Sequence, residues 1–169
     1  LIISEPSNPW QNGVGSLFTT EFFKTMSSKL KPKGIASIWL HLYGLECSAI
    51  ESVALATARN FKYVAVFRYE TDLLFISSNE NTFTNKKLPD SLNKLEKLLF
   101  DSLGTDLKNI TREKAYQKIS KMWLMDSGRI LKYDGKNALV NTDDNQYLQY
   151  SSAKTYWRDF GCPKIFDSN

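Results

Sequence analysis

Tyr63-Val64-Ala65-Val66-Phe67-Arg68-Tyr69-Glu70-Thr71-Asp72-Leu73-Leu74-Phe75-Ile76-Ser77 is the stretch whose reading decides the fold. Two runs rich in β-branched and aromatic residues, Tyr63–Arg68 and Leu73–Ser77, flank the connection Tyr69-Glu70-Thr71-Asp72, the pattern of two strands joined by a turn. Joining parallel strands takes a crossover of about a dozen residues or more, so this pair is an antiparallel hairpin.

Upstream of the hairpin, strand and helix patterns alternate. Leu1–Ser4 is a short apolar run bounded by Pro6 and Pro9 and predicts a strand. Glu5–Gly15, with two prolines, two glycines and two asparagines, predicts a loop. A helix is expected from about Thr19 to Leu30, where Phe22, Phe23, Met26 and Leu30 share one face and Lys29 and Lys31 sit near the negative end of its dipole. Pro32 and Gly34 stop it. Gly34–Leu42 is a second strand, apolar on both faces as in a strand covered by helices. Glu46–Phe61 is a second amphipathic helix, with Ile50, Val53, Ala54, Ala58 and Phe61 inward. Strand, helix, strand, helix and hairpin together read as the closing half of a doubly wound α/β sheet that ends on an antiparallel edge. No opening half is present, and the chain begins abruptly on Leu1-Ile2-Ile3 without an initiator Met. The expectation is a chain that starts inside a longer protein, with an exposed edge on its first strand.

Downstream, Asn79–Leu88 is polar and reads as a linker. Pro89 suits a first helical turn, and Leu92, Leu95, Leu99 and Leu103 mark a helix that Gly104 ends. Thr111, Glu113 and Lys114 open another, with Ala115, Ile119, Met122 and Trp123 as its apolar face. The two form a helical hairpin. The remainder, with the turn signal Asp134-Gly135, reads as short extended pieces and loops. The chain thus divides into a sheet domain, 1–78, and an extension, 79–169, packed on the same domain.

With 169 residues, 42% apolar and 24% charged, the composition is that of a soluble globular unit. No apolar run approaches the length of a membrane span and no leader pattern opens the chain. Cys47 and Cys162 lack metal-type spacing and read as two reduced thiols of a cytosolic-type protein. The net charge of +4 comes from scattered lysines, a solvated surface and not a nucleic-acid footprint.

The segment Ser4-Glu5-Pro6-Ser7-Asn8-Pro9-Trp10 follows the first strand, and open α/β sheets bind ligands beyond the carboxyl ends of their strands. Pro6 and Pro9 hold Glu5 and Asn8 toward extended conformations. A carboxylate, an amide and an indole are therefore displayed from one stiff loop. On pattern alone this loop reads equally as a rigid strand–helix connection with an exposed Glu. His41, the only histidine, alternates with Trp39 and Tyr43 and shares their face of the second strand. It either lines a pocket with that loop or is satisfied within the sheet. No second ligand is spaced with it, so no metal is expected. Asp143-Asp144-Asn145 is a polar turn or a cation or amine site.

Ile2-Ile3-Ser4-Glu5-Pro6-Ser7-Asn8-Pro9-Trp10, Ser16-Leu17-Phe18-Thr19 and Leu30-Lys31-Pro32-Lys33-Gly34 resemble the spermidine/spermine synthase family. There the equivalent strand ends in an Asp-Ser-Ser-Asp-Pro type loop, followed by a Leu-Phe that opens the next helix. Trp39–Leu45 and Asn141-Thr142-Asp143-Asp144-Asn145 look like its membrane-fused or otherwise divergent branch. The resemblance covers residues 1–78 and 141–150. It implies the C-terminal half of a Rossmann-like, S-adenosylmethionine-dependent transferase sheet, ending in the antiparallel hairpin and followed by the helical hairpin.

The implied reaction moves an aminopropyl group from decarboxylated S-adenosylmethionine to a polyamine. Glu5 matches the family's catalytic aspartate and Asn8 its amine-binding aspartate, while Trp10, His41 and Tyr43 are expected to bind substrate. Glu reaches one methylene further than Asp, and Asn lacks the charge that attracts a diamine. The family's Pro-Thr-Tyr-Pro-Ser-Gly-like insert has only Tyr69-Glu70-Thr71-Asp72 in its place. The family's glycine-rich cofactor turn and acidic residue have no counterpart, and no cofactor-binding residue is assigned. The resemblance implies decarboxylated S-adenosylmethionine, or S-adenosylmethionine itself, as co-substrate and a small-molecule amine as acceptor. A homo-oligomer, or pairing with the missing N-terminal half, is expected, in the cytoplasm or as the cytoplasmic domain of a membrane-fused protein. Two other readings stay open: a non-catalytic binding or assembly module, and a small-molecule methyltransferase, since one sheet supports several chemistries.

Overall fold

The computed structural model describes residues 1–81, 121–132 and 139–155. Its first strand, β1 (Ile2–Ser4), leads through the proline-containing loop to a short 3-10 helix, Val14–Phe18, within and just beyond the expected loop. Helix α1 (Thr20–Lys29) then starts on Thr19, whose Oγ1 accepts a hydrogen bond from the Phe22 amide at 3.3 Å. That cap satisfies one of the donors a helix start leaves without an internal partner. Lys29 sits in the last turn, favourably placed against the dipole. Phe23 and Met26 are buried.

β2 (Ala36–His41) follows, then α2 (Cys47–Asn60). In α2 every residue from Ser52 to Ala58 is buried, together with Ala49 and Ile50. A helix enclosed on all sides is a core element, and its three alanines in this run let neighbouring backbones approach. The hairpin closes as expected, with β3 (Tyr63–Tyr69) and β4 (Asp72–Ser78) paired antiparallel from Tyr63↔Ser78 to Tyr69↔Asp72.

The sheet has five strands in the order β1-β2-β4-β3-β5, where β5 is Trp123–Asp126. β1 and β2 are parallel, with Ile2 opposite Ala36 and Ser4 opposite Ile38. The other neighbouring pairs are antiparallel. The four strands expected to share one sheet do so. The hairpin, however, does not form the end of the sheet. β4 runs inside, between β2 and β3, and β5 pairs on the outer side of β3, with an irregularity between Val66 and Phe67. The reason is backbone satisfaction: the free edge of β3 presents donors and acceptors that Trp123–Asp126 takes up.

Trp123 was expected on a helical face. It lies instead in β5 and meets Phe67 edge-on, ring centroids 5.5 Å apart, a cross-strand aromatic pair of the kind that specifies register. Besides Trp123, only Lys121 and Met122 of the expected helical hairpin are described, and those two are helical. The rest of that hairpin, most of the expected linker and the Asp134-Gly135 turn lie outside the described residues. Two short helices replace expected extended pieces: α3 (Ser127–Lys132) and α4 (Tyr147–Thr155). α3 opens on Asp126, whose Oδ1 accepts from the Arg129 amide at 2.9 Å. The sequence of α3 gave no helical period because it is under two turns long and contains Gly128.

The core lies between the sheet and the helices, with Ile38, Leu40 and Phe75 from the strands meeting Phe23, Val53 and Leu55 from the helices. Cys47 is disulfide-bonded, which corrects the expectation of a reduced thiol at this position. A disulfide needs two Cα atoms within about 7 Å of each other, a condition of tertiary structure that spacing does not disclose. The thiol-based argument for a reducing compartment therefore does not hold for Cys47. Among the described residues no helix is long and apolar enough to cross a membrane.

β1 is an edge strand, and Leu1 and Ile3 are 76% and 65% exposed. An apolar edge with free backbone groups recruits other strands. The isolated chain, with nothing else covering this edge, is expected to self-associate with rising concentration, and Ile3→Lys to suppress this, as read by sedimentation velocity. A wild type that stays monomeric across the concentration range would count against β1 as the adhesive edge.

Candidate functional site

The parallel pair β1 and β2 points two carboxyl ends in the same direction, and the loops beyond them meet. The first loop runs from Glu5. Asn8, expected to be extended because it precedes Pro9, instead adopts a left-handed backbone, φ 54°, and its carbonyl accepts from the Gln11 amide at 2.9 Å, so the demands of the turn override the proline's bias. Asparagine tolerates this conformation better than most residues. Pro9 is buried, and Trp10 is brought over the end of β2.

There it meets His41 edge-on with ring centroids 5.2 Å apart, and Tyr43 at 6.4 Å. His41 and Tyr43 stack at 4.1 Å, and Trp39 lies 5.4 Å from His41 on the other side. Gly44 makes room for this arrangement. Its φ is +69°, and a Cβ there would stand 3.2 Å from Trp10 Cζ3, so a side chain would be strained in the backbone and crowd the indole.

His41 is fully buried, and neither Nδ1 nor Nε2 has a hydrogen-bond partner among the described residues. Burial of the ring drives its pKa down to about 4, against the opposing pull of the Asp72 carboxylate. Asp72 is its register partner across β2 and β4, and also faces Tyr69 across the hairpin. The imidazole is therefore neutral at physiological pH. It offers one N–H and one lone pair inside a wall of aromatic rings.

Of the residues singled out from sequence, the structure brings Trp10, His41 and Tyr43 together. Glu5 and Asn8 share the loop that carries Trp10. Glu5 is solvent-exposed just past the end of β1, and Tyr43 is about half exposed beside the buried histidine. Asp143-Asp144-Asn145 is a turn held by its own side chains. Asn145 Oδ1 accepts from the Thr142 and Tyr147 amides, and Thr142 Oγ1 accepts from the Asn145 amide. Among the described residues no cluster of His, Cys, Asp and Glu has the makings of a metal site. A hollow of about 220 Å³ between Leu30–Lys33 and Ser78–Glu80 lies where β2 begins and β4 ends, the opposite end of the sheet from the trio.

Sequence reasoning missed Gly44 and Asp72 as parts of this site. Gly44 carried a readable signal, a glycine directly after an alternating aromatic strand. Asp72 did not, because its relation to His41 depends on the insertion of β4 next to β2.

No family model matches the chain, and no curated protein matches it.

The depressed pKa has a consequence for stability. Between about pH 4 and 6.5 the unfolded chain binds a proton at His41 that the folded chain refuses. The stabilisation is complete above the unfolded value, is lost as pH falls through this window, and levels off below about 4. A shift from 6.5 to about 4 corresponds to about 3 kcal/mol. Denaturant unfolding between pH 7 and 4 is expected to show this loss, and His41→Phe to flatten the profile. An NMR titration of the single histidine with a midpoint near 6.5 would show instead that the ring is solvated.

Proposed function

We propose that this chain is the C-terminal part of an aminopropyltransferase-like enzyme that moves an aminopropyl group from decarboxylated S-adenosylmethionine to an amine. The observation that carries this reading is the meeting of Trp10, from the loop after β1, with His41 and Tyr43, from the end of β2. Those loops lie beyond the carboxyl ends of two parallel neighbouring strands, the place where open α/β sheets take ligands. Both co-substrates carry positive charge, one as a sulfonium and one as ammonium groups, and electron-rich ring faces attract such cations. A neutral His41 adds no repulsion. The strand order also supports the transferase sheet: β1 and β2 are parallel and β3, antiparallel to β4, runs in their direction, with β4 alone reversed among the first four strands.

The reaction forms a C–N bond between the acceptor amine and the carbon next to sulfur, and breaks the C–S bond. The sulfonium leaves as a neutral thioether and needs no general acid. The attacking amine must first lose a proton, since free alkylamines are almost wholly protonated at neutral pH. Glu5 is the proton acceptor in this reading, because its carboxylate is open to solvent and can pass the proton on, whereas His41 is enclosed. Asn8 holds the acceptor by a hydrogen bond, and alignment of the two substrates accounts for most of the remaining rate.

The test uses the full-length protein that contains this chain. Removing a general base typically costs about 100- to 10,000-fold in rate, so Glu5→Gln is expected to lower turnover by that order with co-substrate affinity little changed. Asn8→Ala is expected to weaken acceptor binding by about 1–3 kcal/mol. Aminopropyl transfer to a panel of amines, measured for wild type and both variants, separates the two roles. Activity that survives Glu5→Gln within a few-fold refutes the mechanism. Absence of transfer to every amine by the wild type favours a methyltransferase or a non-catalytic module.

A further inference from the structure

The segment from Asn141 to Gln149 has no part in the chemistry above, yet it touches both loops that build the site. Asn141 is fully buried, and both ends of its side-chain amide and its backbone carbonyl are hydrogen-bonded. Its Nδ2 donates to the Gly15 carbonyl at 3.2 Å, its Oδ1 accepts from the Leu148 amide at 2.9 Å, and its own carbonyl accepts from the Thr20 amide at 2.9 Å. The side chain thus ties the 3-10 helix to the first turn of α4, and the backbone carbonyl of the same residue ties in the first turn of α1. The Gly15 position is tight enough that a Cβ would stand 2.9 Å from Gln149 Cβ and 3.3 Å from the Pro9 carbonyl. Pro9, Gly15 and α4 are therefore in direct contact one residue before Trp10.

Two further side chains of α4 reach the two loops separately. Gln149 Oε1 accepts from the Gly13 amide at 3.2 Å, and its Nε2 donates to Asn12 Oδ1 at 3.4 Å. Tyr147, at the start of the helix, donates its hydroxyl to Ser48 Oγ at 3.0 Å, and Ser48 in turn bonds Glu46 at 3.3 Å. Ser48 and Glu46 follow directly on the Tyr43-Gly44-Leu45 turn. Gln149 holds the loop that carries Trp10, and Tyr147 holds the loop that carries Tyr43.

We propose that α4, anchored by Asn141, is a brace that sets the distance between these two loops, so that Tyr147, Gln149 and Asn141 are positioning residues for the Trp10–His41–Tyr43 site. As positioning for catalysis this rests on the transferase reading, but the geometric claim stands without it. The buried residue matters because its side-chain amide is matched at both ends by hydrogen bonds while its backbone carbonyl holds a third element. Loss of any of them releases a loop, not the core. Misplacing a reacting group by about 1 Å costs on the order of 100-fold in rate, so a brace remote from the chemistry acts on turnover.

The test exploits the single histidine. His41 gives one imidazole signal, and its neighbours Tyr43 and Trp10 shift that signal by their ring currents. The comparison is wild type, the double variant Tyr147→Phe/Gln149→Ala, Asn141→Ala, and Tyr150→Ala as a control on an exposed position of the same helix. The double variant removes only part-exposed contacts and is expected to unfold cooperatively near the wild-type temperature. Its His41 ring resonance is expected to move well beyond the shift in Tyr150→Ala, and turnover to fall about 10- to 100-fold. Asn141→Ala is expected to do both more strongly, and the double variant decides the matter if Asn141→Ala does not fold. An unchanged His41 resonance in the double variant overturns the proposal. A moved resonance in a protein that transfers no aminopropyl group upholds the brace and removes the transferase reading alone.

Discussion

Enclosure of α2 is the constraint on which the rest of the molecule depends. A helix with seven consecutive buried residues has no solvent face, so something must cover each side. The sheet covers one, and α1, α3 and α4 pack against the others. Its composition fits the demand: alanines at 49, 54, 56 and 58 permit close approach, while Ile50, Val53 and Leu55 fill the volume between layers. The two polar groups in this stretch differ. Thr57 Oγ1 donates back to the Val53 carbonyl at 2.8 Å, whereas Ser52 Oγ has no partner among the described residues. Because α2 begins six residues after His41, fixing the helix fixes the Tyr43-Gly44 turn and the end of β2.

The site that results is governed by desolvation. A buried imidazole without a hydrogen bond is costly by about 1–3 kcal/mol, and stacking on Tyr43 with the edge-on and tilted contacts of Trp10 and Trp39 offsets part of that. The same burial keeps the ring neutral, so that under the proposed function it would not repel a cationic substrate. It also separates roles: the enclosed histidine shapes the wall, and the exposed carboxylate of Glu5 is free to exchange protons with solvent.

Much of the architecture was legible because strong local signals coincided. Pro32 and Gly34 after the helix and the apolar spacing of Phe22, Phe23, Met26 and Leu30 placed α1 to within a residue at each end. The hairpin was legible from the shortness of its connection. The neighbours of the hairpin were not. Whether β4 lies at the rim or inside depends on which edge finds a partner, and Trp123–Asp126 carries too little periodicity in four residues to announce itself as a strand. α4 was missed for a similar reason, since Tyr147–Thr155 mixes polar and apolar residues with little amphipathic period.

By itself the sequence determined the elements from β1 to β4, the parallel placement of the first two strands, and the stiff loop that displays Glu5, Asn8 and Trp10. These follow from short-range physics, namely side-chain period, helix stop signals and the fixed φ of proline itself, whereas Asn8 departs from the extended conformation that Pro9 favours. Only the tertiary structure decided that His41 is dry, that Asp72 is the carboxylate facing it, that Gly44 seats Trp10, and that Asn141 binds three elements together. Each of these joins residues far apart in the chain, so each depends on strand order and packing, which no local pattern encodes.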